Sequence, residues 1–336
     1  MKHSQQIIST DLLLDSTDEA SDAGPDTELR EGLIADVFHG TRVDRALAAI
    51  APEFSRNYLQ QIIESGDVRI NGMPVVRPAA KVRAGDKVSM ELRPTPQSQA
   101  FRPEVMALDV VHEDAHLLVL NKPAGLVVHP APGHWSGTLL NGLLARDPHA
   151  ANLPRAGIVH RLDKDTTGLM MVARSRIAMD ALVRMIAARQ VKRQYLALAH
   201  RSWQGALHRL VDAAIGRDPR NRLRMAVVDG VRHAGKPAVT EIELVDNGAD
   251  GCLVFCTLQT GRTHQIRVHL ASIGHPLVAD ALYGGANAAA MTRQALHAVR
   301  LAFLHPLNRQ PMKFEAPLPA DFEEGLKSWG LRYNKT

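Results

Sequence analysis

The stretch Gly157-Ile-Val-His-Arg-Leu-Asp-Lys-Asp-Thr-Thr-Gly-Leu-Met-Met-Val-Ala173 sets an apolar, strand-like run on each side of a short loop. His160, Arg161, Asp163, Lys164, Asp165, Thr166 and Thr167 crowd into that loop. Loops held by rigid strands are where binding and catalytic groups collect. An ordinary turn, with Asp and Thr capping their own backbone, has the same composition. The loop by itself leaves both readings open.

Downstream, Lys192-Arg-Gln-Tyr-Leu-Ala-Leu-Ala199 alternates as a strand. Leu196 and Leu198 fall on one face and Tyr195, Ala197 and Ala199 on the other, which leaves room beside the tyrosine ring. A tyrosine packed at a sheet edge is the plain alternative. Further on, Thr263 is placed to cap a helix with Ile266, Leu270 and Ile273 as its buried stripe and Gly274 as its stop. Arg267 lies about 100° round from Ile266, at the flank of that stripe. From there it either reaches a carboxylate along the edge of the core or snorkels to water.

Upstream, Val43, Ala46, Leu47 and Ile50 recur at helical spacing, and Ser55 caps a second helix carrying Leu59, Ile62 and Ile63. Asn71-Gly72 marks a hairpin after Val68 and Ile70. Gly85-Asp86 then leads into a strand with Val88, Met90 and Leu92. Residues 36–93 therefore form a small α+β unit, dotted with Arg42, Arg56, Arg69 and other basic residues that a solvated face also explains. Before it, residues 1–35 read as an acid-rich flexible tail. Behind it, residues 94–104 read as a proline-stiffened linker. Residues 105–330 make one large unit.

Of 336 residues, 40 are Lys or Arg and 35 are Asp or Glu. Residues 1–40 hold nine of the acidic groups and only Lys2 and Arg30 of the basic ones, so an acidic start precedes a basic body. A 45% hydrophobic content excludes a wholly disordered chain. No apolar run approaches the ~20 residues of a membrane span. Nothing at the N-terminus reads as a secretion signal, and Cys252 and Cys256 read as small buried strand residues, so a cytoplasmic protein is expected. GxGxxG and GxxxxGK[ST] are both missing, which favours a mixed α+β sheet over a nucleotide-binding fold. His264 and His269 are about 140° apart on a helix with no accompanying Glu, so no metal is expected. No GxSxG elbow supports Ser-His-Asp hydrolysis.

Thr41-Arg-Val-Asp-Arg-Ala-Leu47, Ile63-Glu-Ser-Gly-Asp-Val-Arg-Ile-Asn-Gly72 and Gly85-Asp-Lys-Val88 resemble an S4 domain, a small module that holds structured RNA. His160-Arg-Leu-Asp163-Lys-Asp-Thr-Thr-Gly168 resembles the signature of pseudouridine synthases of the RluA/RluD branch, with Thr167 where many relatives have serine. Leu120-Asn-Lys-Pro-Ala-Gly125, Lys192-Arg-Gln-Tyr195 and Thr260-Gly-Arg-Thr-His-Gln-Ile-Arg267 are similar to further motifs of that family. So are Asp280-Ala-Leu-Tyr-Gly284 and His305-Pro306. The resemblance implies an S4 α+β domain followed by a pseudouridine synthase fold with a mixed, largely antiparallel sheet and flanking helices. It implies Asp163 as the catalytic residue, Arg267 as its partner and Tyr195 against the target base. Arg161, His160, Thr166, Arg262, Gln265 and Lys122 are implied as substrate contacts, with Arg161 helping to displace the target nucleotide.

Isomerising uridine moves no electrons or groups in from outside, so the resemblance implies neither cofactor nor metal. A uridine in folded RNA must be extruded at a cost of a few kcal/mol, which basic residues offset through phosphate contacts. Arg42, Arg56 and Arg69 in the small unit, and Arg217, Arg220, Arg222 and Arg224 in a basic run beside Asp218-Pro219, are the expected RNA contacts. The expected partner is structured RNA, either large-subunit ribosomal RNA or the ribosomal subunit, met by a monomer. An RNA-binding ribosome-assembly factor with an idle loop, a transfer-RNA enzyme and a metal-dependent hydrolase are the alternatives.

Overall fold

In the computed structural model, residues 28–92, 100–131, 133–221, 223–229 and 233–334 are described. They divide into two units, with the boundary between Gln97 and Ser98. Residues 1–27 of the expected tail and 94–99 of the expected linker lie outside the described residues.

The first unit runs β1 (Glu28–Leu33), α1 (Val43–Ile50), α2 (Arg56–Glu64), β2 (Val68–Ile70), β3 (Met73–Pro74) and β4 (Lys87–Leu92). The antiparallel sheet is ordered β1-β4-β2-β3. Val43, Ala46 and Leu47 of α1 and Leu59, Ile62 and Ile63 of α2 are buried with Val68, Val88, Met90 and Leu92. The Ser55 side chain accepts from the Tyr58 amide, as a capping serine does. Asn71 and Gly72 both take positive φ, 51° and 80°, the geometry of a tight hairpin turn. One boundary differs from the sequence reading: β1 falls within residues assigned to the tail. Glu-Leu-Arg-Glu-Gly-Leu pairs with all of β4, but its Leu29 and Leu33 are exposed. It is an edge strand held by backbone hydrogen bonds, with no apolar alternation to announce it.

The second unit comprises β5 (Val110–Glu113), β6 (Leu117–Lys122), α3 (Leu139–Arg146), β7 (Thr167–Ala173), α4 (Arg176–Ala187), β8 (Lys192–His200), β9 (His208–Asp212) and β10 (Ile215–Arg217). There follow β11 (Met225–Val227), β12 (Gly235–Lys236), β13 (Val239–Asn247), β14 (Gly251–Leu258), α5 (Gln265–Ser272), β15 (Leu296–Leu304), β16 (Pro311–Glu315) and α6 (Ala320–Ser328). The linker ends earlier than expected. The Asn141 side chain of α3 donates to the carbonyls of Ala100 and Arg102, so residues 100–104 already belong to this unit.

The large sheet is ordered β5-β6-β7-β15-β8-β14-β13-β9, with β16 on β15. Its pairs are antiparallel except β7 against β15, so the mixed, largely antiparallel expectation holds. Leucines of α3 and Ile266 and Leu270 of α5 pack on the face bearing Tyr195, Ala197 and Ala199. The opposite face meets α4 and α6, the latter against Leu196 and Leu198. With both faces covered, all seven residues of β7 are buried. Cys252 and Cys256 are free and buried, and burial pushes the Cys252 thiol up to about 12. Among the described residues no helix is long and apolar enough to cross a membrane.

Candidate active site

The loop from His160 to Thr166 delivers the chain into the N-terminal end of β7, where β7 and β15 start side by side with Thr167 opposite His297. Gly168 takes φ +109°, and a Cβ there would fall 2.2 Å from the carbonyl oxygen of Ala298. The glycine lets the loop enter the sheet at this junction. Three bonds then fix the loop's shape. The Thr166 amide donates to the Asp163 carbonyl over 3.1 Å. Lys122 Nζ donates to the Lys164 carbonyl at 2.8 Å. Arg293 Nη1 donates to the Asp165 carbonyl at 3.0 Å while its other nitrogens grip Asp321.

So held, Asp163 presents Oδ2 to Arg267 Nη1 at 3.0 Å. Arg267 comes from α5, and its Nε and Nη2 donate to the two oxygens of Asp280 at 2.7 and 2.8 Å. The Tyr283 ring lies 5.1 Å from its guanidinium carbon. Burial works against the arginine's charge, but Asp280 and Asp163 outweigh it and raise its pKa. His264 Nε2 stands 3.9 Å from Asp163 Oδ1, and its Nδ1 is 2.8 Å from the Tyr283 hydroxyl. Burial lowers the pKa of His264 against the pull of Asp163.

Asp163 and Arg267 line a cavity of about 530 Å³ together with Tyr195, His160, Arg161, Thr166, Arg262 and Gln265. Tyr195 is buried, which raises its phenol pKa. Arg161 is exposed. His160 Nε2 accepts from the Met171 amide at 3.0 Å, and burial pulls its pKa down to about 3. At pH 7 it is neutral, a wall rather than a charge. Arg262 Nε donates to the Pro237 carbonyl.

Several expected roles change. Lys122 does not reach the cavity: its buried ammonium donates to the carbonyls of Pro123, Leu126 and Lys164, each at 2.8 Å. An ammonium has three protons, so it holds the loop and offers nothing to a substrate. Burial lowers its pKa to about 8. Gln265 borders the cavity, but its amide is engaged internally, donating to Val239 and Thr240 and accepting from Thr260 and Arg262. Thr263 is not the cap of α5. His264 holds that position at φ +56° with no side-chain cap bond. Arg267 is buried rather than flanking the core, because every residue from Gln265 to Leu270 is enclosed. Asp280 was not singled out by residue patterns, although a lone carboxylate ending Leu277-Val-Ala-Asp280 is the kind of buried charge that needs a partner.

Of the expected RNA contacts, Arg42 and Arg56 both bind the wholly buried Asp44, at 3.0 and 3.1 Å, and keep exposed faces. Arg69, Arg217 and Arg220 are exposed. Arg224 pairs with Asp218 at 2.6 Å and is half-buried. Arg222 lies outside the described residues. Among the described residues no group of three or more His, Cys, Asp or Glu is arranged to hold a metal ion. His264 and His269 serve Tyr283 and Thr240 separately.

A mixed sheet with an Asp–Arg pair on the floor of a tyrosine-walled cavity meets a matching family. A model described as RNA pseudouridylate synthase covers residues 116–272 and one described as S4 domain covers residues 41–88. The chain belongs to the RNA pseudouridine synthases, isomerases that convert uridine to pseudouridine, and carries an S4 domain ahead of the catalytic unit. Its similar relatives include ribosomal large subunit pseudouridine synthase D of Neisseria meningitidis serogroup B, 46% identical over 321 residues, spanning 91% of this chain and 83% of that one. The protein of the same name from Xylella fastidiosa is 47% identical over 305 residues, spanning 87% and 90%. Among solved structures, human RNA pseudouridylate synthase domain containing 1 is 28% identical with a TM-score of 0.51, covering 64% of this chain and 85% of that one.

Proposed function

We propose that this enzyme isomerises uridines of large-subunit ribosomal RNA, the substrate named in its relatives, with Asp163 acting on the ribose of a uridine extruded into the cavity. The contact of Asp163 Oδ2 with Arg267 Nη1 carries this reading. The charge-assisted hydrogen bond from a buried guanidinium fixes the direction in which the carboxylate faces the cavity. The base leaves its sugar nitrogen, turns, and rejoins through carbon without leaving the pocket. Tyr195 flanks it and is placed to help remove the C5 proton afterwards. Arg161, exposed at the cavity, takes the place the uridine leaves in the helix. The exposed faces of Arg42, Arg56 and Arg69 bind RNA backbone, offsetting the cost of extrusion. Two buried free thiols support a reducing compartment such as the cytoplasm.

Asp163→Asn keeps the size of the side chain and removes its charge. Carbodiimide mapping of large-subunit RNA should find sites that wild-type protein modifies and the variant leaves as uridine, with RNA binding retained. Pseudouridine made at the wild-type rate by the variant would refute the role of Asp163. Sites confined to transfer RNA would refute the substrate.

A further inference from the structure

Arg193 is a buried cation without a counter-charge. Only 7% of the residue is exposed. Among the described residues its side chain has no hydrogen-bonded or ion-paired partner, and its Nε is a buried donor without an acceptor. Other enclosed cations of this unit are satisfied: Arg267 by Asp280 and Asp163, Arg293 by Asp321, Lys122 by three carbonyls. A guanidinium taken out of water with nothing opposite is costly to keep.

The residue lines the cavity that holds Asp163 and Tyr195. Period-two alternation on β8 puts it on the same face as Tyr195, about 7 Å along the strand, a separation comparable to that between a base and its own phosphate. Among the described residues, five arginines line this cavity against a single carboxylate, Asp163, which Arg267 already engages. The surplus is positive, so the missing partner is an anion. Gly261 forms the seat of the guanidinium: a Cβ there would come within 2.9 Å of Nη1.

We infer that Arg193 binds a phosphate of the substrate, the one adjoining the extruded uridine. This rests on the nucleotide-binding reading of the cavity given above. It adds a subsite that fixes the register of the ribose over Asp163, with Arg193 as a positioning residue.

The test titrates uridine, 3′-UMP, 5′-UMP and inorganic phosphate into full-length protein by calorimetry or protein NMR. In wild type one of the two monophosphates should bind about tenfold or more tightly than uridine, the size of a hydrogen bond between charged groups. Which isomer gains identifies the phosphate. In R193M that advantage should shrink to within twofold while uridine binds as before, and R193K should keep part of it. G261A has ordinary backbone geometry and displaces only the flexible tip of Arg193, so it should also lose the advantage, and it decides the matter should R193M fail to fold. An undiminished advantage in folded R193M and G261A overturns the inference. So does equal binding of uridine and both monophosphates by wild type, or inorganic phosphate binding as tightly as either nucleotide. No turnover is read. Absent pseudouridine formation with the phosphate advantage intact would fault the reaction assignment alone, and normal formation with no advantage would fault only this subsite.

Discussion

Arg267 serves two carboxylates at once, and the shape of its side chain is what permits it. Two of its nitrogens lie on Asp280 and a third on Asp163, with its plane over Tyr283. Lysine offers a point charge and no fork. R267K should therefore lower the single-turnover rate by about 10²-fold or more, the scale of losing a preorganised electrostatic contact. Asp280→Asn keeps the outline but strips the charge that anchors Arg267. Breaking a buried pair of this kind costs about 3–5 kcal/mol, so the melting temperature should fall along with the rate. A D280N enzyme within twofold of wild type in rate and equally stable would show that Asp280 is not the anchor. Asp163 and Arg267 were legible from the sequence through family resemblance. Asp280 lay in a matching motif but its role was not legible, because its partner lies in a separate element and only the packing of α5 brings them together. The helical wheel put Arg267 at the core's edge, which is true of a helix on a surface and false of one enclosed on all sides.

Helix α5 shows why element ends were harder to read than element centres. Thr263 had the right chemistry for a cap, but the Gln265 side chain instead accepts from the Arg262 amide. That leaves His264 in the left-handed region, facing Tyr283. Such an end is decided by distant partners. The helices of the S4 unit were legible because their caps and stripes are local. What was not visible is that Asp44 ties them together, accepting from Arg42 at the start of α1 and from Arg56 and Gln60 of α2. Burial pushes the Asp44 carboxyl up, but the hydrogen bonds from Arg42, Gln60 and Arg56 prevail and hold it at about 2. Its folded pKa lies below its unfolded one, so its stabilisation is complete above about pH 4 and disappears as pH falls through about 2. Asp44→Ala should cost the S4 unit about 1–3 kcal/mol. It should also weaken binding to structured RNA, since two arginines lose their orientation. Turnover of short fragments that bind only the catalytic unit should not change. A variant with wild-type affinity and stability would remove Asp44 from this role.

Across the whole molecule, both units hold carboxylates with lowered pKa values, but among the described residues only the catalytic unit has buried histidines that are lowered, and the order of acid unfolding follows. In the catalytic unit, burial lowers His297 to about 4, His129 to about 4 and His160 to about 3. Each folded value lies below the unfolded one near 6.5. The unfolded chain therefore binds more protons as pH drops, and the stability that is full above about pH 6.5 is lost on the way down to those values. His297, wholly buried against Thr167, contributes up to about 1.4 kcal/mol per pH unit, while the partly exposed His129 and His160 contribute less. In the S4 unit the lowered groups are carboxylates: hydrogen bonds hold Asp44 at about 2, and those from the Arg83 amide and Asn71 lower Asp86. Acid should therefore loosen the catalytic unit between about pH 6.5 and 4 while the S4 unit remains folded. All three tryptophans, Trp135, Trp203 and Trp329, belong to the catalytic unit, so their fluorescence follows that unit alone, and amide exchange follows the S4 helices. His297→Gln, which cannot titrate, should flatten the fluorescence change over that range. Simultaneous loss of both units, or loss of the S4 helices first, would mean that the buried histidines do not set the acid limit of this enzyme.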